Sequence, residues 1–334
     1  MALDIEQPAD LTRYLRQHGH IAPDETPRMT TLPGGVSNRT VLVERESGEA
    51  WVIKQALNKL RVQVDWYSSL ARIHREAEGL RWLAKLAPPG SVPAFVFEDH
   101  EHHLLCMTAV PQPHENWKTM LLRGEPDADH ISQFATLLAT MQQRALEQRE
   151  AIAAAFADTS FFESLRLEPY YAYTAAQVPQ ASAFLHTLID ETRSCRLTLV
   201  HGDYSPKNIL IHQNRLILLD HEVIHFGDPA FDLGFSLTHL LSKAHYRANR
   251  RSEFAEAARL YWQVYADATG TVGEIEARAV RHTLACLLAR VKGRSPLEYL
   301  SDEARERQQT AVLPLMQTPP QTIPDLIGAF IERL

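Results

Sequence analysis

The stretch LTLV-HGDYSPKN-ILIH, residues 197–212, sets a polar loop, His201-Gly202-Asp203-Tyr204-Ser205-Pro206-Lys207-Asn208, between two β-rich runs. A turn at Gln213-Asn214 leads to a third run, LILL at 216–219, which ends in Asp220-His221-Glu222. Short strands joined in this way bring Asp203, Asn208, Asp220 and Glu222 to one edge. A hard divalent cation takes oxygen ligands, and Mg²⁺ uses one or two protein carboxylates together with phosphates. Asn208 and Asp220 suit that task. Asp203, five residues before Asn208, is left to orient a substrate hydroxyl or accept its proton.

Upstream, Pro33-Gly34-Gly35-Val36-Ser37-Asn38 opens a hairpin. Its predicted strands are Thr40-Val41-Leu42-Val43 and Trp51-Val52-Ile53-Lys54, joined by the turn Glu46-Ser47-Gly48-Glu49. Gly34 and Gly35 let the backbone approach a phosphate closely, with Ser37 and Asn38 as further polar contacts. Lys54 can hold the α- and β-phosphates of a nucleotide. A lysine in that role needs a carboxylate to fix its stem. Glu76 can provide it, because residues 70–86 follow helical spacing with Leu70, Ile73, Ala77, Leu80 and Leu83–Ala84 on one side.

Residues 8–19 read as a short amphipathic helix buried through Leu11, Tyr14 and Leu15. Residues 94–98 and 104–110 read as strands around the polar turn DHEHH. Beyond Pro111 and Pro113 the pattern becomes helical, at 129–155, 181–194, 231–247, 252–268, 273–292 and about 301–314. The expectation is an α+β chain of two unequal units. Residues 1–110 form a β-rich, nucleotide-binding lobe, and residues 111–334 a helical lobe with the catalytic loop, metal site and substrate pocket.

In this order, a glycine turn, a strand lysine, a helix glutamate, HGD-x-x-x-x-N and D-x-E before FGDPAFDLG resemble the aminoglycoside phosphotransferase/choline kinase family of small-molecule kinases. VIKQAL followed by LRV within 52–62, and the Asp220-x-Glu222 pair, are most similar to its methylthioribose kinase branch. The resemblance implies a two-lobed protein-kinase-like fold, ATP and Mg²⁺ as cofactors, and a small hydroxylated acceptor. It implies that Asp203 is the catalytic base, that Asn208 and Asp220 hold Mg²⁺, and that Glu222 helps at the metal or phosphates. Asp232 would brace the catalytic loop. Residues 107–110 would be the hinge, with backbone groups of Thr108 and Val110 meeting the adenine. The loop reads HGDYSPKN where that branch carries an HGDLHxGx type, and its arginine pair for gripping methylthioribose is not identifiable. Sugars, amino alcohols and aminoglycosides therefore all stay open as acceptors. The alternative is a nucleotide-binding pseudokinase or regulator; the presence of base, metal ligands and lysine together weighs against it.

Other patterns have plainer readings. His221-Glu222-Val223-Ile224-His225 matches the zinc-protease motif H-E-x-x-H, which needs a helix. Here it follows a strand, holds two β-branched residues and runs into Gly227-Asp228-Pro229, so no such helix is expected. His100, His102 and His103 read as a solvated hairpin tip, and Lys292 and Arg294 as surface charge. Trp66-Tyr67 and Trp117 can cover a ligand or pack the lobes. Across 334 residues, 34 Lys and Arg stand against 41 Asp and Glu, a net charge of −7 that argues against nucleic-acid and membrane-surface partners. Hydrophobic residues at 45% and charged residues at 22% describe an ordinary globular chain. Cys106, Cys195 and Cys286 are too few and too scattered for a disulfide framework and fit a reducing cytoplasm. No signal peptide and no membrane span is expected.

Overall fold

A computed structural model describes residues 3–33, 37–59, 61, 67–270 and 273–334. Alternating side chains organise the first part. Strands β1 (Arg28–Thr31), β2 (Asn38–Glu44), β3 (Ala50–Ala56), β4 (Phe95–Asp99) and β5 (Leu104–Thr108) pair antiparallel in the order β1-β2-β3-β5-β4. Val41, Val43, Trp51, Ile53, Leu104 and Cys106 point to one face, where Leu11, Tyr14 and Leu15 of helix α1 (Pro8–Gln17) cover them. Val52, Ala56, Leu105 and Met107 point to the other, against Ile73, Ala77 and Leu80 of helix α2 (Arg72–Leu86). Ala84, expected on the buried side of α2, is exposed.

The second part is mostly helical. It begins with β6 (His114–Asn116), α3 (Trp117–Arg123), α4 (Ala128–Glu147), α5 (Arg149–Ala155) and α6 (Ser160–Phe162). A π-helical segment, Glu163–Ala172, follows, then α7 (Tyr173–Gln177) and α8 (Ser182–Ser194). The polar loops are carried by β7 (Thr198–Val200), β8 (Ile209–His212), β9 (Arg215–Leu218) and β10 (His225–Gly227), paired as β6-β8-β9 and β10-β7. Helices α9 (Ala230–Tyr246), α10 (Arg251–Thr269), α11 (Glu274–Lys292), α12 (Asp302–Gln317) and α13 (Ile323–Ile331) complete the lobe. Helix α9 is buried on nearly every side, packed by α10 and α11. Leu83 and Leu86 of α2 join the same core, so one helix belongs to both hydrophobic units.

Several elements depart from the sequence expectation. The run at 129–155 is two helices broken at Gln148, whose backbone leaves the helical region. The segment 160–177 is helical although it contains Pro169. Proline lacks an N–H and crowds the preceding turn, and the wider π turn accommodates it. Strands β1 and β6 and helix α13 were not visible in the pattern. Of the histidines in the DHEHH turn, His100 is exposed, whereas His102 and His103 are half-buried and bonded to Asp99 and His74 respectively. Trp117 is wholly buried against Phe134 and is therefore core. Tyr67 is exposed beside Lys59, and Trp66 lies outside the described residues. No helix among the described residues is long and apolar enough to cross a membrane.

The closest approach of α9 to α11 is at Gly234. A Cβ built there would lie 2.4 Å from the His282 Cβ and 2.7 Å from the Thr283 nitrogen, largely backbone that cannot step aside. Gly234→Ala is expected to cost about 1–3 kcal/mol by overpacking, read as a lower urea midpoint. An unchanged midpoint would mean that the two helices are not held at this distance.

Candidate active site

The period-2 alternation of β3 puts Lys54 on the α2 face, with Val52 and Ala56. On α2, Glu76 falls among Ile73, Ala77 and Leu80, the residues facing the sheet. The Lys54 ammonium donates to the Glu76 carboxylate (Nζ to Oε1, 2.6 Å) and to Asp220 (Nζ to Oδ1, 3.2 Å). Asp220 follows β9 with φ +68°, a left-handed conformation that Asp adopts more readily than most residues. Burial pulls the Lys54 ammonium down, but Glu76 and Asp220 outweigh it and the net shift is upward. Burial pushes Glu76 up, with Asp220 adding and Lys54 opposing. Asp220 is held well below the carboxylate range: burial would raise it, and Lys54 and Lys207 prevail. The proton therefore resides on Lys54.

Asp203 is built from the backbone outward. The Asp232 carboxylate, wholly buried in the first turn of α9, accepts from the amides of His201 (2.7 Å) and Gly202 (2.8 Å). Gly202 has φ +77°, and a Cβ there would meet the Val223 carbonyl at 3.0 Å, so the turn requires glycine. This fixes the direction of Asp203. Its carboxylate is ion-paired with Arg166 (Nη2 to Oδ1, 2.9 Å) and accepts from Asn208 (Nδ2 to Oδ2, 2.7 Å), and Lys207 stands 3.7 Å away. Asn208 closes the short helical turn Pro206–Asn208. Its side-chain Nδ2 donates to Asp203, and its side-chain Oδ1 takes no hydrogen bond among the described residues. That oxygen and the Asp220 carboxylate are the hard donors a divalent cation prefers.

Other expected residues lie at varying distance from this centre. Glu222 is nearly buried and engaged by Arg72 (Nε to Oε2, 3.2 Å). Burial and Asp220 push it upward, against Arg72. Ser37 and Asn38 are buried at the start of β2; the Ser37 carbonyl accepts from Arg72, and the Asn38 Oδ1 has no hydrogen-bond partner among the described residues. Gly34 and Gly35 lie outside the described residues. At the hinge, the Thr108 amide already donates to the Ala94 carbonyl, whereas the Val110 amide meets no backbone acceptor among the described residues.

Two residues were missed. Arg72, wholly buried, donates to the carbonyls of Ser37, Leu57, Ser68 and Ser69 as well as to Glu222. Its position four residues before Glu76 on one helix face was the available signal. Arg166 is ion-paired with Asp203 and donates to the Gly202 carbonyl (2.7 Å) from the π-helical segment, and nothing local in the sequence marks it. The H-E-x-x-H match fails as a helix motif: His221 sits in a turn and His225 on β10. His221 instead meets the His201 ring (3.1 Å). His74, Glu98 and His100 lie close enough to share a metal, but Arg81 already donates to Glu98 at 2.5 Å. Arg294 is paired with Glu168.

A small antiparallel sheet over a helical lobe, with a lysine–glutamate pair facing an Asp-x-x-x-x-Asn loop, defines a phosphotransferase of the two-lobed protein-kinase-like class. The chain belongs to the phosphotransferase enzyme family, whose model matches residues 28–272. Methylthioribose kinase of Pectobacterium atrosepticum is 26% identical over 261 residues, covering 70% of this chain and 64% of that protein. The Yersinia enterocolitica enzyme of the same name is also 26% identical, over 70% and 65%. The chain thus spans slightly less than two thirds of these curated relatives. Among solved structures, an amicoumacin kinase in complex with AMP-PNP, Ca²⁺ and amicoumacin superposes with a TM-score of 0.62 at 15% identity, covering 96% and 98% of the two chains. A choline kinase from Cryptosporidium parvum gives 0.56 at 13% identity, over 97% and 100%. Macrolide 2'-phosphotransferase from Brachybacterium faecium gives 0.55 at 18%, over 93% and 98%. These likenesses show the shared fold.

The buried imidazoles of the loop give the site a pH signature. Burial lowers His201 to about 4 and His225 to about 3, from near 6.5 in an open chain. The folded state keeps them neutral while the unfolded chain takes up protons, so stability is full above pH 6.5 and falls as the pH drops toward these values. Between pH 7 and 5 the loss is expected to reach up to about 2 kcal/mol for each imidazole, offset in the whole protein by the Glu76 and Asp232 carboxyls, which burial pushes up into the same window and which stabilise as the pH falls. The difference in urea midpoint between the protein and His225→Gln across that window isolates the imidazole, and a difference independent of pH would contradict neutral burial.

Proposed function

We propose that the chain transfers the γ-phosphoryl group of ATP, with Mg²⁺, to a hydroxyl of a small metabolite. The observation that carries this reading is Lys54 bridging Glu76 and Asp220, with Asp203 held in place by Arg166 and Asn208 in the neighbouring loop. Residues 1–110 bind the nucleotide, and residues 111–334 carry the catalytic loop and the acceptor pocket. Lys54, fixed by Glu76, meets the α- and β-phosphates, and the Val110 amide is the hinge donor for the adenine. Ser37 and Asn38 contact the phosphates, a role the sequence resemblance also implies for Gly34 and Gly35, which lie outside the described residues. Asn208 and Asp220 hold the cation. Glu222 supports that site from its pair with Arg72.

Phosphoryl transfer asks the protein for positioning and charge neutralisation rather than covalent chemistry. Bound Mg²⁺ would supply neutralisation of the triphosphate. Asp203 accepts a hydrogen bond from the attacking hydroxyl and takes its proton as the new P–O bond forms and the bond from the γ-phosphorus to the β,γ-bridging oxygen breaks, with ADP leaving. Arg166 and Asn208 aim that carboxylate, and Asp232 holds the loop backbone beneath it. A sugar and an amino alcohol are acceptor classes that the relatives' names raise, and aminoglycoside-like compounds stay open from the sequence resemblance. The three cysteines are free thiols, which suits a reducing, cytoplasmic setting.

Asp203→Asn is expected to lower turnover by about 10²–10⁴-fold in a coupled assay over hydroxyl metabolites, with Mg²⁺·ATP affinity nearly unchanged. Retained turnover would remove Asp203 from the role of base. Asp220→Ala is expected to abolish the Mg²⁺ dependence of nucleotide binding, read by calorimetry without any acceptor. Unchanged Mg²⁺-dependent binding would remove Asp220 as a metal ligand.

A further inference from the structure

Beyond Asp203, on the side away from Lys54, three surfaces meet. Helix α9 presents Phe235, His239 and Lys243 at i, i+4 and i+8, one continuous face. The π-helical segment presents Arg166 and Tyr170, again four residues apart. Helix α11 and the loop after it add Arg290 and Tyr299. These groups touch in sequence. Arg166, bonded to Asp203, lies over the rings of Tyr170 (5.6 Å) and Phe235 (5.8 Å). Phe235 meets His239 edge-on at 5.0 Å. Arg290 donates to the Tyr170 hydroxyl (3.2 Å), and Lys243 lies 5.7 Å from the Tyr299 ring.

The charge here is one-sided. Lys243 is wholly buried, yet its ammonium donates to one group, the His239 carbonyl at 3.2 Å, and meets no carboxylate among the described residues. Two of its three N–H donors are left over. Arg290 is nine-tenths buried; it donates to Tyr170 and Ser295, has no carboxylate partner among the described residues, and its Nε is unpartnered. The buried Tyr299 hydroxyl has no hydrogen-bond partner among the described residues. Lys118, at the rim, is neutralised by Glu298. A buried unpaired cation costs several kcal/mol, and a lysine relieves that cost by giving up its proton. Burial, with Lys118 and Arg290 nearby, brings Lys243 down to about 7, so its spare donors stand ready to regain full charge when an anion arrives beside them.

We propose that the acceptor carries an anionic group, a carboxylate or a phosphate, received by Lys243 and Arg290 while its hydroxyl lies at Asp203. The proposal rests on the phosphotransfer reading of Asp203. Ammonium and guanidinium together suit either anion, the guanidinium by its planar fork. The same field repels cationic acceptors, which sets amino alcohols and aminoglycosides aside. Geometry bounds the size. Lys243 is eleven residues beyond Asp232 on α9. That is ~16 Å along the axis at ~1.5 Å per residue, and its side chain leans back toward the catalytic loop. The acceptor must therefore span on the order of 10 Å, the reach of a five- or six-carbon chain.

The test is calorimetry of the full chain saturated with AMP-PNP and Mg²⁺, using matched probes: ribose and ribose 5-phosphate, glucose and gluconate, and choline. At least one anionic probe is expected to bind tenfold or more tightly than its neutral counterpart; the two pairs distinguish phosphate from carboxylate. Choline is expected not to bind. Lys243→Met is expected to remove most of that preference while the melting temperature and AMP-PNP affinity hold, because a buried unpaired charge has been replaced by an apolar chain of similar length. Arg290→Gln gives a second measure. The proposal is overturned if neither anion outbinds its neutral partner, or if the preference survives in both variants. Phosphoryl transfer to the same compounds is read separately. An anion preference without transfer keeps the pocket and removes the kinase reading; transfer to ribose or choline without anion preference does the reverse.

Discussion

One ammonium group holds the two halves of the site in register. Lys54 reaches from the middle of the sheet to Glu76 on α2 and to Asp220 at the end of β9, so it joins three elements far apart in the chain. Three carboxylates, Glu76, Asp220 and Glu222, crowd this interior. Without Lys54 and Arg72 they would repel one another in a low dielectric. Arg72 performs the second half of the task, tying Glu222 to the carbonyls of Ser37 and Leu57 at the β2–β3 edge. The proposed nucleotide wall, at Lys54 and Ser37, and the proposed metal edge, at Asp220 and Glu222, are thus parts of one ion-pair network, and each fixes the position of the other.

Helix α9 is the second constraint. Its first turn anchors the catalytic loop through Asp232 and Ser236, the latter donating to the Tyr204 carbonyl. The next turns carry Phe235, His239 and Lys243. A helix buried on nearly all sides cannot rotate or slide without disturbing the core around it. The same rigid element therefore sets where the catalytic carboxylate points and how far away the anion-receiving lysine lies. Gly234 allows this by bringing α9 and α11 within backbone contact, which places Arg290 beside Tyr170.

Much of this was legible in the sequence for a physical reason: the signals were periodic or local. Alternation in β2 and β3 and helical spacing in α2 set Lys54 against Glu76 before any coordinates. The loop spacing of Asp203 and Asn208 needed only a strand on each side. What escaped depends on contacts distant in the chain. Arg166 sits in a segment whose proline hides its helical character, and its partner Asp203 is 37 positions away. Glu222 could be placed near the metal edge, but its engagement by Arg72 follows from packing that no local spacing encodes. The Thr108 amide could be assigned to a hinge, but not seen to be already engaged by Ala94. Strand β1 has three of its four residues exposed, so it carries little apolar alternation to read.

The acidic balance of the whole chain and the basic character of the pocket are compatible because fields act locally. A net charge of −7 is spread over the surface and screened within about 8 Å at physiological ionic strength. Buried groups are screened far less. Near Lys54 three carboxylates, Glu76, Asp220 and Glu222, lie close together, so a triphosphate bound there as proposed gains from its own divalent counter-ion. Past Asp203 the balance reverses, with Lys243 and Arg290 lacking a carboxylate partner among the described residues and Arg166 shared. Asp203 thus stands at the boundary between a region that requires added positive charge and one that offers it. In the proposed reaction an acceptor anchored on the basic side would present its hydroxyl to that boundary, with the γ-phosphoryl group arriving from the other. The same boundary would separate two like-charged ligands, their mutual repulsion met by protein cations on one side and by the metal on the other.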